Sequence, residues 1–196
     1  MALKDYYNSG DDNATGAYLT TRWLAQTFTP ITSYTILSAR LKVIRYANPG
    51  NLVVSIKATD VDGKPTGIDL CSGIMDGNTF SKSITGIWGG VTFTPDYNLV
   101  ASIKYAIVVR ATNIVEPNWW YWRYDSAASK YSGGAPYYSS NSGGFWNTPL
   151  VGGTEDFMFE VYNTVDVNAY ELIIKRLDTI ESFVDLLTNQ IQNMIG

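Results

Sequence analysis

The sequence predicts a mainly β protein, an antiparallel β-sandwich or jelly roll, followed by a C-terminal α-helix of coiled-coil type. Two observations predict the β part. Aromatic residues make up 14% of the 196 residues, and short segments of alternating apolar and polar residues follow one another between clusters of turn-forming residues. A third observation predicts the helix. Glycine disappears after residue 165 until the last position, and the apolar spacing changes from two residues to three and four.

The strands can be assigned in chain order from the alternation. Residues 39–46 alternate, residues 48–51 are turn-forming and residues 52–58 alternate again, which predicts a β-hairpin. Residues 60–67 are predicted to form a loop. Further strands are expected near 79–84 and 90–94, at 105–111, within 119–124 and at 157–161. About eight strands without interleaved helices favour an antiparallel sandwich over an α/β fold.

The last part of the chain carries the signals of a helix start. Asn168 can cap the first turn together with Glu171 three residues later, a pair that resembles a capping box. The sequence therefore divides into a jelly-roll domain at 1–164 and an oligomerisation helix at 165–196.

One face of that helix carries an unbroken heptad pattern, which we call the seam. Its residues recur at alternating spacings of three and four: Tyr170, Ile173, Leu177, Ile180, Val184, Leu187, Ile191 and Met194. Isoleucine at d positions favours trimers or tetramers over parallel dimers, so we expect a homo-oligomer and, first, a homotrimer. The alternative is a helix folded back onto its own β domain, because a helix of this length needs its apolar face covered.

Composition excludes several functions. The formal net charge is -4, and the chain has no histidine and one cysteine. A Ser-His-Asp or Cys-His catalytic centre is therefore impossible. The lack of clustered positive charge argues against nucleic acid and against an anionic membrane surface as partners. No stretch of the sequence is long and apolar enough to span a bilayer.

A glycosidase would need only two carboxylates on either side of a sugar. Asp125, Glu155 and Asp156 lie nearest the aromatic segment in sequence. Each has an ordinary alternative as a strand-edge charge or a loop hydrogen-bond acceptor, so we expect no enzyme and no cofactor.

Asp60 and Asp62 are weak candidates for a calcium site. Alternate carboxylates before a glycine turn, here Gly63, can contribute oxygen ligands to Ca²⁺. The full EF-hand pattern is absent, and a turn in which the aspartates accept hydrogen bonds from their own backbone explains the same residues. We expect no bound metal.

The aromatic segment 119–124 is the richest candidate for binding chemistry. In a strand, Trp119, Tyr121 and Arg123 share one face, while the alternate residues 120, 122 and 124 share the other. Only one face can be core, and the other would expose flat rings beside a guanidinium, which suits stacking on sugar rings. Tyr137 and Trp146 flank two Gly-Gly loops, so a groove could be lined from two directions. The alternative is that these rings are buried in the hydrophobic core.

Seven segments occur in an order typical of one domain type. They are AQTFTP at 25–30, VSIKATD at 54–60, DGKPTG at 62–67, KYAIVVRA at 104–111, WRYD at 122–125, YSGG at 131–134 and DFMFE at 156–160. Together they resemble the choice-of-anchor jelly-roll domains, over roughly residues 5 to 163. The resemblance implies a jelly roll similar to carbohydrate-binding modules. Such domains occur in microbial surface proteins and in phage and viral structural proteins.

The two ends of the sequence decide between these settings. The start lacks the apolar core of a signal peptide, and the end has a heptad helix where exported members have an anchor. We therefore expect a virion surface structural protein, such as a head decoration, head-fibre or tail-associated protein. It would be made in the host cytoplasm, contact other virion proteins and display a possibly glycan-adhesive domain. The alternative is a carbohydrate-binding module of a cell-surface or secreted protein.

Overall fold

The described part of the chain consists almost entirely of strands. The structure, a computed structural model, describes residues 2–127, 131–148 and 155–163, and in the tail residues 179–180, 183–184, 187–188 and 190–192. Its strands are β1 (Leu3–Tyr7), β2 (Asn13–Ala17), β3 (Trp23–Phe28), β4 (Tyr34–Tyr46), β5 (Asn51–Thr59), β6 (Pro65–Asp76), β7 (Ile87–Leu99), β8 (Tyr105–Ala111), β9 (Trp119–Asp125), β10 (Pro136–Ser139), β11 (Asp156–Phe157) and β12 (Phe159–Tyr162). The predicted mainly antiparallel β fold is confirmed.

Seven strands form one antiparallel sheet around the long strand β4. β7 pairs with β4 along one side, and β12 and then β9 pair with it along the other. β1 borders β12, while β2 and β11 border β9. The last strand, β12, is therefore hydrogen-bonded on both sides. Just beyond it the Asn163 amide donates to the Ala2 carbonyl at 3.4 Å.

The other five strands form a second antiparallel sheet in the order β10-β3-β8-β5-β6. This order corrects the predicted hairpin between residues 39–46 and 52–58. Both strands exist, but β4 belongs to the first sheet and β5 to the second, and β5 pairs with β6 and β8 instead. The alternation of apolar and polar residues shows which face of a strand is buried. It does not show with which other strand that strand pairs.

Two further expectations about elements are wrong. The predicted loop at 60–67 ends earlier, because β6 begins at Pro65. No strand forms at 79–84, where a 3₁₀ turn, Gly77–Thr79, is followed by irregular backbone. That turn begins with Asp76, whose side chain accepts a hydrogen bond from the Asn78 amide and so satisfies a free donor.

The larger hydrophobic core of the described residues lies between the two sheets. Trp120, Trp122 and Phe159 come from the seven-stranded sheet, and Phe28 and Ile107 from the five-stranded one; all five are fully buried. Each sheet also has an outer face, directed away from this core. These outer faces hold the candidate sites.

Part of the predicted helix lies within the described residues. Ile180, Val184, Leu187 and Ile191 have helical backbone. Tyr170, Ile173, Leu177 and Met194 lie outside the described residues. Among the helices of the described residues, none is long and apolar enough to cross a membrane.

Candidate functional site

The aromatic strand β9 divides its side chains between the core and the outer face of the seven-stranded sheet. Trp120, Trp122 and Tyr124 are buried in the core. Trp119 and Tyr121 are only partly buried. The predicted division of the two faces is confirmed, and two of the candidate stacking residues remain accessible.

Trp119 belongs to an aromatic patch on that outer face. The Tyr46 ring stacks on it, with centroids 5.6 Å apart and planes 26° apart. Tyr18 meets it edge-on at 5.9 Å, and both tyrosines are about half exposed. Next to these rings is a depression of about 320 Å³, lined among others by Tyr121, Ile44 and Ile84. This surface, the Trp119 patch, is broad and largely apolar.

Arg123 is buried and paired with a carboxylate, so its guanidinium is not exposed for a ligand. Only 7% of Arg123 is exposed, and its Nε lies 2.8 Å from Asp11 Oδ2. Lys42 contacts the other oxygen of Asp11 at 2.6 Å. Burial alone would raise the pKa of Asp11, but the two cations outweigh burial and lower it. The expected exposed guanidinium is therefore wrong: Arg123 holds the loop before β2 against the sheet.

Tyr137 and Trp146 lie on the other side of the molecule. They pack on Ala25, Ala106 and Val108, which alternate along β3 and β8 with residues of the shared core. They therefore stand on the outer face of the five-stranded sheet, and the expectation of one groove lined by all the candidates is wrong. Tyr137 is 8% exposed and Trp146 is 5% exposed, so each presents only an edge.

A groove of about 470 Å³ crosses this second outer face. We call it the Trp23 groove. Its rings are Trp23, Phe145 and Trp146, and its charged side chains are Lys57, Asp60 and Lys64. Phe145 is 58% exposed, while the Trp23 and Trp146 rings lie 6.5 Å apart as a tilted pair. Flat rings beside a few polar groups in a groove of this size suit a small polar ligand with an apolar face.

One wall of the Trp23 groove is a loop held by side-chain hydrogen bonds. The Ser139 hydroxyl accepts from the Gly143 amide at 2.9 Å, and Asn141 Oδ1 accepts from the Phe145 amide at 2.8 Å. Gly143 has φ +81°, and a Cβ there would meet the Trp23 ring at 2.8 Å. Glycine thus permits both the backbone conformation and the close approach to Trp23.

The opposite wall is a tight turn at residues 60–64. Asp60 Oδ1 accepts hydrogen bonds from the amides of Asp62 at 3.0 Å and Lys64 at 2.8 Å. The Asp60 amide donates to the Lys64 carbonyl at 2.8 Å. This geometry favours the turn alternative for Asp60 over the weak calcium candidate. Across the described ranges, no group of three potential metal-binding side chains comes together.

Lys57, which lines the groove, also belongs to an ion-pair network on this outer face. Lys57 Nζ lies 3.2 Å from Asp69 Oδ1, and Arg110 Nη2 lies 2.5 Å from Asp69 Oδ2. Burial alone would raise the pKa of Asp69, but Arg110 and Lys57 lower it. The Arg110 guanidinium also lies 4.9 Å from the centre of the Trp23 ring.

The three carboxylates considered for catalysis are buried, with at most 4% of each exposed. Asp125 accepts the Tyr7 hydroxyl at 2.6 Å. Asp156 accepts the Gln26 amide group at 3.2 Å, a bond that joins the two sheets through the core. Neither these residues nor Glu155 line the Trp23 groove.

Comparison with known proteins leaves the family open: no protein-family model and no curated protein matches this chain. Several residues of the Trp23 groove, among them Trp23, Lys57 and Lys64, were not predicted as site residues. Trp23 comes directly before the buried Leu24 at the start of β3, so strand alternation places its side chain on the outer face. This alternation was the signal that could have identified it. Lys64 had no local signal, because its neighbour Phe145 is 81 positions away and only the fold brings them together.

Proposed function

We propose that this chain is a surface structural protein of a virus particle, such as a head decoration, head-fibre or tail-associated protein. Its C-terminal helix joins three copies, and each copy displays a jelly-roll β-sandwich. The resemblance of the sequence to choice-of-anchor domains supports this setting, and two antiparallel sheets around one core support the sandwich. The alternative setting is a binding module of a cell-surface or secreted protein.

The observation that carries the proposal is the exposure of the seam. In the single chain Ile180 is 58% exposed, Val184 53%, Leu187 43% and Ile191 57%. These four residues repeat at spacings of four, three and four on helical backbone, so they form one apolar stripe. Exposed apolar stripes of this kind are covered by partner helices. Two further copies of this chain are the proposed cover.

Substitution of one seam residue tests the assembly. Ile180→Asp places a charge in the seam of every copy, so the mass in light scattering should fall from a trimer to a monomer. The control is Gln192→Asp, which adds the same charge at the b position of the heptad and should leave the trimer intact. A monomeric wild type, or two variants with the same mass, would contradict the assembly.

The virion setting has a separate test. Mass spectrometry of purified particles should find the chain in a copy number divisible by three, as expected for a trimer at a symmetric position. Its detection in the host envelope or in the medium, with none in particles, would favour the alternative setting.

A second function, carbohydrate binding, is favoured by the Trp23 groove. Trp23 and the half-exposed Phe145 can stack on the apolar face of a sugar ring. The groove lining adds Ser142, Thr66 and the two lysines as polar contacts for hydroxyl groups. The loop and the turn that form its walls are held by internal hydrogen bonds, so the site is organised before a ligand arrives.

The groove is tested by removing an exposed ring. Phe145→Ala should weaken binding of oligosaccharides about tenfold, because stacking contributes on the order of 1 kcal/mol or more. Tyr46→Ala removes a similarly exposed ring from the Trp119 patch on the opposite face and should leave affinity unchanged. Tryptophan fluorescence titration measures both. Equal losses in the two variants would place the binding surface elsewhere.

A further inference from the structure

We propose that the Trp23 groove selects sugars that carry a negative charge, and that Lys64 is the residue that recognises the charge. This inference rests on the proposal that the groove binds carbohydrate. It goes further because it names the class of sugar and the residue that discriminates it. The shared chemistry is an anionic group, carboxylate or sulfate, on a sugar ring.

The first step is the balance of charge around the groove. Lys57 and Lys64 are positive and Asp60 is negative, so the described residues that line the groove carry one more cation than anion. The whole chain carries a net charge of -4. The groove is therefore locally positive on a negatively charged protein, and such a site attracts anions.

The second step identifies the cation that remains for a ligand. Lys57 is only 12% exposed, is paired with Asp69 and donates to the Gly67 carbonyl at 2.7 Å. Arg110 is paired with the same carboxylate. Lys64, by contrast, takes part in none of the ion pairs found within the described residues. Of the two lysines that line the groove, Lys64 is therefore the one without an ion pair to another described residue.

The third step is the position of Lys64. The turn bonded to Asp60 holds its backbone, and its Nζ lies 5.5 Å from the centre of the Phe145 ring. A sugar ring stacked on the exposed part of Phe145 would bring its substituents next to this ammonium group. An ammonium beside a stacking ring contributes a charge-assisted hydrogen bond to a carboxylate or sulfate and much less to a hydroxyl.

The experiment compares matched sugars on the full chain. A panel of oligosaccharides is titrated in acidic form and in the corresponding neutral form: uronic acids against their methyl esters, and sulfated sugars against their desulfated forms. The wild type should bind acidic members about tenfold more tightly than neutral ones, with the preference reduced by added salt. Lys64→Gln should abolish the preference, so that acidic and neutral members bind with the same affinity.

Lys82→Gln removes the same charge from the depression beside the Trp119 patch and serves as the control for net charge. Its preference for acidic sugars should equal that of the wild type. Equal binding of acidic and neutral sugars by the wild type would overturn this inference and leave carbohydrate binding in place. A preference for acidic sugars that is retained in Lys64→Gln would overturn the inference in the same way. Absence of binding to every member of the panel would overturn both. The carboxylated and sulfated arms show which anionic group is recognised.

Discussion

Trp120 and Trp122 occupy the same strand and the same core, yet their indole nitrogens differ. The Trp122 indole N–H donates to the Met158 carbonyl at 2.8 Å, and its ring stacks on Phe157 with centroids 4.5 Å apart. The Trp120 indole nitrogen is buried and has no hydrogen-bond partner among the residues that the structure describes. A buried donor without a partner costs free energy, so the two tryptophans contribute unequally to stability although both are fully buried.

This difference predicts a ranking of two matched substitutions. Trp120→Phe and Trp122→Phe remove similar volumes from the core, but only Trp122→Phe loses a hydrogen bond, whereas Trp120→Phe removes an unsatisfied donor. The free energy of unfolding should fall further for Trp122→Phe, by about 1 kcal/mol. Urea denaturation measures both values. Equal losses would mean that Trp120 has a partner such as an ordered water.

At the scale of single residues, local pattern predicted burial well and partners poorly. The alternation of β9 was predicted from six consecutive residues, because strand geometry is local. The burial of Arg123 was not predicted, since its partner Asp11 is 112 positions away. The local sequence of β9 is the same whether its arginine is exposed or paired with a distant carboxylate.

Among the elements, β6 and β7 bring the backbones of the two sheets close together. β6 lies at the edge of the five-stranded sheet and β7 at the edge of the other. At Gly73 of β6, an added Cβ would lie 2.2 Å from the Thr92 carbonyl oxygen of β7. Backbone this close leaves no room for a side chain, which explains glycine inside a strand.

Gly73→Ala is therefore expected to destabilise the protein by about 3 kcal/mol or more, because the contact is with backbone and the two strands must separate. Gly144→Ala is the control: its Cβ would lie 3.1 Å from Asn141 Nδ2 and 3.3 Å from the Asn141 carbonyl oxygen, so a shift of a few tenths of an ångström would relieve the contact. Thermal unfolding followed by circular dichroism compares the two. A wild-type melting temperature in Gly73→Ala would show that the sheets are further apart than described.

The element scale also shows why strands were easier to predict than their pairing. β4, β5 and β8 were found because apolar residues alternate along them. β6 was missed in part because it starts with Pro65 and carries Gly67 and outward-facing Ile68, and an edge strand tolerates such residues. The pairing of β4 and β5 with other strands depends on long-range contacts that no local pattern encodes.

For the whole molecule, the described strands end at Tyr162, before the predicted helix begins. A chain ended at residue 164 keeps all of these strands and loses the seam. We expect it to retain the β-sheet signal in circular dichroism and to be a monomer in light scattering, whereas the full chain is a trimer. Loss of the sheet signal would show that the tail is needed for folding, as the folded-back alternative requires.

The sequence predicted which residue types the candidate site contains, but not which of those side chains lie next to one another. Tyrosine, tryptophan and Gly-Gly loops pointed to surface aromatics, and both outer faces do carry them. Which rings meet depends on which sheet receives each strand: β9 places Trp119 and Tyr121 on one side of the core, and β10 places Tyr137 on the other. The groove that results includes Trp23 and Lys64 because β3 borders β10 and the turn before β6 lies nearby.

The position of β12 has a mechanical consequence. The tail leaves the body from this strand, which is hydrogen-bonded to β1 on one side and to β4 on the other. A pulling force transmitted through the tail therefore acts on a strand with two flanking neighbours, so the hydrogen bonds to both neighbours must break before the strand comes away. A terminal strand at a sheet edge would instead peel away one bond at a time. The body is attached to its tail at a point suited to withstand tension.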